Sequence, residues 1–433
     1  MERLREIARK VLAYAKEAGA EAAQCSVRES KTKEFNVDGG EFSLMRTLFD
    51  ESVSVTLIKD RKQGAVAVNR FDEESIRTAV ADAAAAAESA APDEAWEIDQ
   101  SGKKESFVKG CPECDTEKLF GRTKELLETI RERFPKLVID QMITDHESGK
   151  SIYCNSFGTC YETVYGAYEF YVGYSAKEGE TGSHTYGSSG RVDNLDKPFI
   201  ECAMTEKELT DTEAQSRPEP MEGKFTGTVV FTPECLREVV FDTILSQFIS
   251  DRALIEGTGA WKDRIGEAVA SPAFSFSLAP NDPRIICGAR YTPEGYPAED
   301  FDVIRDGILK SFVLSQYGAN KTGKKRSGNT TASIVCEAGE TPLAEIIAGV
   351  KRGIVIGRFS GGQPTANGEF SGVAKNSFLI ENGKITKALS ETMVSANLYE
   401  MLHKLRAVSR EVQENGSSVV PYIAFDGVTV SGK

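Results

Sequence analysis

The sequence predicts an α+β protein, with N-terminal helix/strand domains followed by a C-terminal domain built on a large, mostly antiparallel sheet. Two turn signals and one repeated pattern carry that prediction. Asn382-Gly383 lies between Phe378-Leu379-Ile380 and Ile385, and a type I′ hairpin turn needs positive φ at both of its central positions, which Asn-Gly supplies. Asp306-Gly307 repeats the device between the apolar stretches 301–304 and 308–312. Upstream, a helical apolar period followed by strand-like alternation occurs twice in succession.

At the start of the chain Leu4, Ile7, Ala8, Val11, Leu12 and Ala15 recur at helical spacing and stop at Gly19, predicting a first helix with a glycine cap. Ala23, Cys25 and Val27 then alternate with polar neighbours as a strand. Val53, Val55 and Leu57 lead through the turn 59–64 into 65–68 as a hairpin, and Asp72 caps an alanine-rich helix over 73–90 that Pro92 ends. These elements make a first α+β domain over 1–95. The charged, aperiodic stretch 93–110 reads as a linker.

A middle helix-plus-strands domain is expected over 110–215. Its helix begins at Thr116, carries Leu119, Leu126, Leu127 and Ile130 on one face, and ends before Pro135. Strands are predicted at 137–142, 151–155 and 161–174, separated by the turn-rich pieces 147–150 and 155–158. Tyr161, Tyr165, Tyr168, Phe170, Tyr171 and Tyr174 in the last strand are spaced partly by two, which suits cross-strand aromatic packing better than a stacking platform for bases. A short polar helix near 206–215 and the proline-bearing stretch 217–224 form the second boundary.

The C-terminal domain, 222–433, opens with a strand at 227–231 and then Thr232-Pro233, a helix N-cap followed by proline at the first helical position. The helix runs to about 251, burying Leu236, Val239, Val240, Ile244, Leu245 and Phe248. Short strands near 284–287 and 332–336, helices at 343–350 and 394–404, and closing strands at 419–424 and 427–430 complete the prediction.

At 433 residues the chain exceeds one ordinary core. Its formal charge of −14 repels phosphate backbones, so nucleic acid is not an expected partner. No apolar run approaches the length of a membrane span, and the first ten residues read as an amphipathic helix rather than a signal peptide. A cytoplasmic protein with no membrane association is expected. Nine cysteines, an odd number scattered along the chain, suit reduced thiols better than a disulfide framework.

Among local motifs, Cys111-Pro112-Glu113-Cys114 has redox or half-zinc-site spacing, and Cys154 and Cys160 are the nearby thiols that could complete four ligands. Gly187-Ser188-Ser189-Gly190 lacks the spacing of a nucleophile elbow and reads as a turn. The basic loop 321–326 reads as solvated, with carboxylate binding as its functional alternative. The stretch 359–372 is the most open one. Gly361, Gly362, Gly368 and Gly372, with Pro364 and Asn367, are too many breakers for a strand interior. They offer low-profile backbone to which an extended peptide could add as a strand, with Phe370 supplying an apolar contact.

Four stretches together resemble a known family. They are the helix end 15–20 (AKEAGA) with the strand after it, the hairpin before Phe71-Asp72, the run RDGILKSFVLSQYGANKTG at 305–323, and GQPTANGEFSGVAKNSFLIENGKI at 362–385. With them the chain resembles the TldD/PmbA family, also called modulators of DNA gyrase. The resemblance implies an α+β fold and membership of a peptide-degrading system in which a TldD-type subunit carries a metal and a PmbA (TldE)-type subunit is its partner. The catalytic branch has His-Glu-x-x-x-His on the helix of the third block and a cysteine close to the C-terminus. Here the corresponding stretch 236–248 has no histidine and 409–433 has no cysteine. His146, His184 and His403 fall in three different elements.

The PmbA-like branch is therefore the better match, with no metal ligands, no cofactor and no recognisable catalytic residue on this chain. Its expected partners are a TldD-like catalytic subunit and unfolded peptide, with homo- or hetero-oligomerisation through the C-terminal domain. A stand-alone hydrolase with an unrecognised site, or a module acting on a protein target such as gyrase, are the alternatives.

Overall fold

A computed structural model describes residues 1–390 and 392–432. Two sheets dominate it, and the protein is α+β with helices on their faces. The N-terminal half contributes β1 (Ala22–Asp38), β2 (Glu41–Lys59), β3 (Lys62–Val68), β4 (Lys104–Gly110), β5 (Leu137–Asn155), β6 (Cys160–Glu178), β7 (Thr181–Gly182) and β8 (Tyr186–Val192). Their order is β3-β2-β1-β5-β6-β4, with β7 and β8 also on β6. Because β1 pairs with both β2 and β5, the blocks expected as separate domains over 1–95 and 110–215 share one sheet.

Helices α1 (Glu2–Glu17) and α2 (Glu73–Ser89) cover one end of that sheet, burying Leu4, Ile7 and Val11 with Ile76, Val80 and Ala83 against Val27, Val53 and Val55. The alanines of α2 let it approach very closely: a Cβ on Gly64 of β3 would lie 1.9 Å from the Ala83 carbonyl oxygen. At the other end α3 (Thr116–Arg133) packs Leu119, Leu126 and Ile130 on the sheet, with Tyr168, Phe170 and Tyr174 in the same core. The tyrosine run is thus structural at those positions, as alternation required.

Several local expectations differ from the structure. Residues 187–190 are strand rather than a turn, 284–287 are turn rather than strand, 394–397 are strand rather than helix, 104–110 of the expected linker form β4 paired with β6, and 359–362 and 369–372 lie in strands rather than in an open connection. The stretch 147–150 is not a turn, because β5 continues through it, hydrogen-bonded on both sides, with Gly149 opposite Ser30 and Tyr165. The strands at 23–27 and 53–57 extend well beyond their apolar alternation, since 28–38 and 41–52 pair with each other as regular strand although 41–50 is exposed. Cys154 and Cys160 lie directly opposite each other and are joined in a disulfide, contrary to the expectation of reduced thiols throughout.

The C-terminal half holds twelve strands among the described residues. They are β9 (Glu219–Pro220), β10 (Lys224–Phe231), β11 (Phe276–Leu278), β12 (Phe301–Arg305), β13 (Ile308–Leu309), β14 (Ile334–Cys336), β15 (Arg352–Gly362), β16 (Glu369–Glu381), β17 (Lys384–Ser390), β18 (Thr392–Asn397), β19 (Leu405–Glu414) and β20 (Val419–Ser431). Pairing is mostly antiparallel, and β20, β10, β15, β16 and β18 pair in a closed circuit. The two Asx-Gly turns are as expected, with φ of 53° and 74° at Asp306-Gly307 and 49° and 78° at Asn382-Gly383.

One sheet face packs on the helical stretch 233–255 through Val229, Phe231, Phe241, Phe248 and Phe425. The other carries Val230, Val355, Ile380 and Ala424 beneath Leu343 and Ile346. The expected linker is pinned to the C-terminal half: Trp96 stacks on Tyr317 at 4.0 Å and Asp93 pairs with Lys321 at 3.0 Å. Gln215 Nε2 donates to the Ser377 carbonyl at 2.8 Å across the second boundary. No described helix is long and apolar enough to cross a membrane.

Candidate functional site

The site is assembled from the helix after β10, the outer edge of β15 and the segment before β8. Thr232 accepts a hydrogen bond from the Cys235 N–H and Pro233 follows it, so the helix starts where capping chemistry requires. It does not continue as regular α-helix. Residues Arg237–Phe241 and Ile244–Phe248 are π-helical, an uncommon geometry that is enriched at functional sites.

The first π turn reads Arg237-Glu238-Val239-Val240-Phe241-Asp242. It has the spacing of the catalytic branch's His-Glu-x-x-x-His, with arginine and aspartate in the histidine positions. Arg237 Nη2 donates to Glu234 Oε1 at 2.6 Å and Nη1 lies 3.9 Å from Asp242 Oδ2. Burial raises the carboxyl pKa of Glu238, with the Glu234 charge adding to the effect, and burial likewise raises that of Asp242. A guanidinium ion-paired within this set does not fit a divalent metal, which needs neutral imidazole, thiolate or several free carboxylates. Among the described residues no three His, Cys, Asp or Glu side chains gather as metal ligands. Cys111 and Cys114 pack on the core under α3, whereas Cys154 and Cys160 pack on the α1–α2 core, so the four thiols do not meet.

Beside this helix β15 changes from a paired to an unpaired strand. Its parallel partner β10 reaches only Ile356, and Thr232 closes the end by donating from N–H to the Ile356 carbonyl and from Oγ1 to the Gly357 carbonyl. From Arg358 to Gly362 the strand has β16 on one side and, among the described residues, no strand on the other. Opposite Gly357, Asn376 interrupts the β15–β16 register with φ of 50° and donates from Nδ2 to the His184 carbonyl at 3.2 Å. Arg358 Nη1 donates to the Thr185 carbonyl at 2.6 Å. Burial, then the charges of Lys375 and Arg358, lower the pKa of His184.

The five residues expected to touch peptide divide into two groups. Gly361 and Gly362 are exposed on the free edge, Gly361 with φ of 129°. Gly372 faces Gly361 from within the sheet, where β18 pairs on its other side. Gly368 is buried in the turn, and a Cβ there would lie 2.8 Å from the Tyr399 ring. Phe370 is 4% exposed and meets Phe359 edge-to-face at 5.6 Å, so its ring belongs to the core and is not presented to a ligand. Sequence reasoning missed the Arg237–Glu234–Asp242 cluster, although the residues at motif spacing were there to read.

Nearby in α4 (Thr205–Glu213), Glu208 accepts from Gln413 Nε2 at 2.8 Å through Oε1, while buried Oε2 has no partner among the described residues. Desolvation lifts its carboxyl pKa to about 8. A separate surface feature lies on β2, where Phe42, Leu44, Met45, Leu48 and Phe49 are exposed along a strand whose neighbour β3 pairs only with residues 53–59.

Comparison with known proteins places these features in context. Residues 223–432 match the family described as PmbA/TldA metallopeptidase C-terminal domain, and residues 23–87 match PmbA/TldA metallopeptidase domain 1, together more than half of the chain. A metalloprotease of Methanocaldococcus jannaschii is 26% identical over 301 residues, 65% of this chain and 64% of its own length. A metalloprotease PmbA homolog of Haemophilus influenzae is 24% identical over 44% of this chain and 43% of its own length. The chain thus spans less than two thirds of these curated relatives. The crystal structure of TldE from Thermococcus kodakarensis superposes with a TM-score of 0.86 at 21% identity, covering 98% of this chain and all of that one. A Thermotoga maritima structure described as a modulator of a DNA gyrase gives 0.81 at 18% identity, covering 99% of this chain and all of that one. At these identities the two structures show a shared fold.

Proposed function

This chain belongs to the TldD/PmbA family of metallopeptidase-related proteins, and from that premise we propose that it is a PmbA/TldE-like, non-catalytic subunit of a peptide-degrading system in the cytoplasm. In this reading a TldD-like subunit brings the metal and the hydrolytic chemistry, while this chain holds unfolded peptide for it. The observation that carries the reading is that Arg237 and Asp242 stand at the histidine spacing of the catalytic motif, with Arg237 ion-paired to Glu234, beside the edge Arg358–Gly362. An extended peptide gains main-chain hydrogen bonds along such an edge, and glycines at 361 and 362 keep its approach clear of side chains.

The subunit is expected to work in an oligomer, through the C-terminal domain that carries this edge; the apolar residues on β2 offer a second candidate contact. Co-expression with a TldD-like chain, sizing, and cleavage assays on each component and on the mixture test the proposal. Cleavage that needs both chains, with zinc only in the partner, supports it. Full activity of this chain alone, or one tightly held zinc per chain, favours a stand-alone hydrolase in its place.

A further inference from the structure

A second cleft lies between the N-terminal sheet and the loop 285–291 of the C-terminal half. Its floor is made by small side chains on three neighbouring strands, Ser26 on β1, Ser151 on β5, and Thr163 and Ala167 on β6, and this leaves a cavity of about 380 Å³. Tyr291 anchors the loop above it by stacking on Tyr161 at 4.7 Å.

The charge in this cavity is opposite to that of the protein. Four cations line it, Arg28, Lys109, Arg191 and Arg290, against two carboxylates, Glu147 and Glu169. Arg28 is ion-paired with Glu147, and Arg191 Nε donates to Glu169 Oε1 at 2.7 Å. The other two cations have no carboxylate partner among the described residues. Lys109 Nζ donates only to the carbonyls of Cys287 and Gly288, at 3.2 and 3.3 Å, and Arg290 donates to the Asn281 side-chain oxygen. Burial, followed by the charges of Arg290, Arg191 and Arg28, lowers the Lys109 pKa.

A chain with formal charge −14 therefore encloses two uncompensated positive charges in one recess. Half-enclosed cations of one sign focus the field and concentrate small anions, and their desolvation is costly until an anion joins them. The guanidinium offers a planar fork matched to the O–P–O or O–C–O edge of an oxyanion, and the ammonium adds a compact point charge. We propose that this cleft binds a small dianion, a phosphate group or a dicarboxylate, held by Lys109 and Arg290. Its volume admits a molecule of metabolite size and not a folded partner. The site is separate from the β15 edge and stands without the peptide-binding reading.

Calorimetric titration of the full chain with inorganic phosphate and, separately, with malonate tests this, with sodium chloride at matched ionic strength as the reference. Saturable one-to-one binding of at least one of the two is expected, and the better ligand identifies phosphate or dicarboxylate as the source. Lys109→Met and Arg290→Gln should each weaken binding about tenfold or more, as loss of a charged hydrogen bond does, whereas Lys384→Gln on an exposed hairpin should not. No saturable binding of either anion above the chloride reference overturns the proposal. So does unchanged affinity in a Lys109→Met or Arg290→Gln variant whose circular dichroism is native; if Lys109→Met does not fold, Arg290→Gln on the loop decides.

Discussion

Glu208→Gln isolates a buried carboxyl whose protonation the fold controls. In the folded chain its pKa rises from the ordinary 4.5 to about 8 because burial removes water from the charged form. A carboxyl with a raised folded pKa is protonated in the folded state and ionised in the unfolded state between those values. It therefore penalises folding increasingly as pH rises from about 4.5 to about 8, and the penalty is constant above that. Each tenfold change in proton affinity is worth about 1.4 kcal/mol, so the ceiling is about 5 kcal/mol. Relaxation of the site around the ionised form keeps the realised effect below that ceiling, at about 2 kcal/mol.

Glutamine is nearly isosteric with the protonated acid and keeps an oxygen to accept from Gln413 Nε2, which now lies 2.8 Å from Oε1. Urea denaturation of both proteins at pH 5, 7 and 9 measures the effect. The variant should exceed the parent by less than about 1 kcal/mol at pH 5 and by about 2 kcal/mol at pH 9. A difference independent of pH would refute the reasoning, because it would place the Glu208 carboxyl in contact with solvent or with an unrecognised cation.

Other outcomes follow from single contacts. Phe370→Ala should cost about 3–5 kcal/mol in chemical denaturation, since its ring is core, whereas Gly362→Val, whose Cβ would lie 3.0 Å from the Ser371 carbonyl oxygen, should cost only about 1 kcal/mol and weaken peptide capture by the assembled complex. Gly368→Ala should lower the melting temperature through a left-handed φ of 82° and a clash with the Tyr399 ring. Elemental analysis of natively purified protein should find no stoichiometric zinc. A Met45→Lys, Phe49→Lys double variant should leave the oligomer intact on sizing if the C-terminal domain carries assembly, and dissociate it if the β2 residues do.

The sequence by itself determined what depends on short-range chemistry. Asn382-Gly383 and Asp306-Gly307 dictated their turns through positive φ, Asp72 and Thr232 dictated helix starts through capping, and the period of Leu4, Ile7 and Val11 dictated a buried helical face. The missing histidines and cysteine were equally legible, since absence of a ligand type needs no geometry. Tertiary structure alone decided which strands pair. The exposed half of β2 has no apolar alternation to read because its register comes from β1, and Gly149 stays in a strand because β1 and β6 bond it from both sides. It also decided that Phe370 points inward while Gly361 and Gly362 stay on an edge, and that Lys109 and Arg290, 181 positions apart in the chain, line one cavity. Those outcomes depend on contacts between residues distant in sequence, whose energies are set by packing and burial that no local window contains.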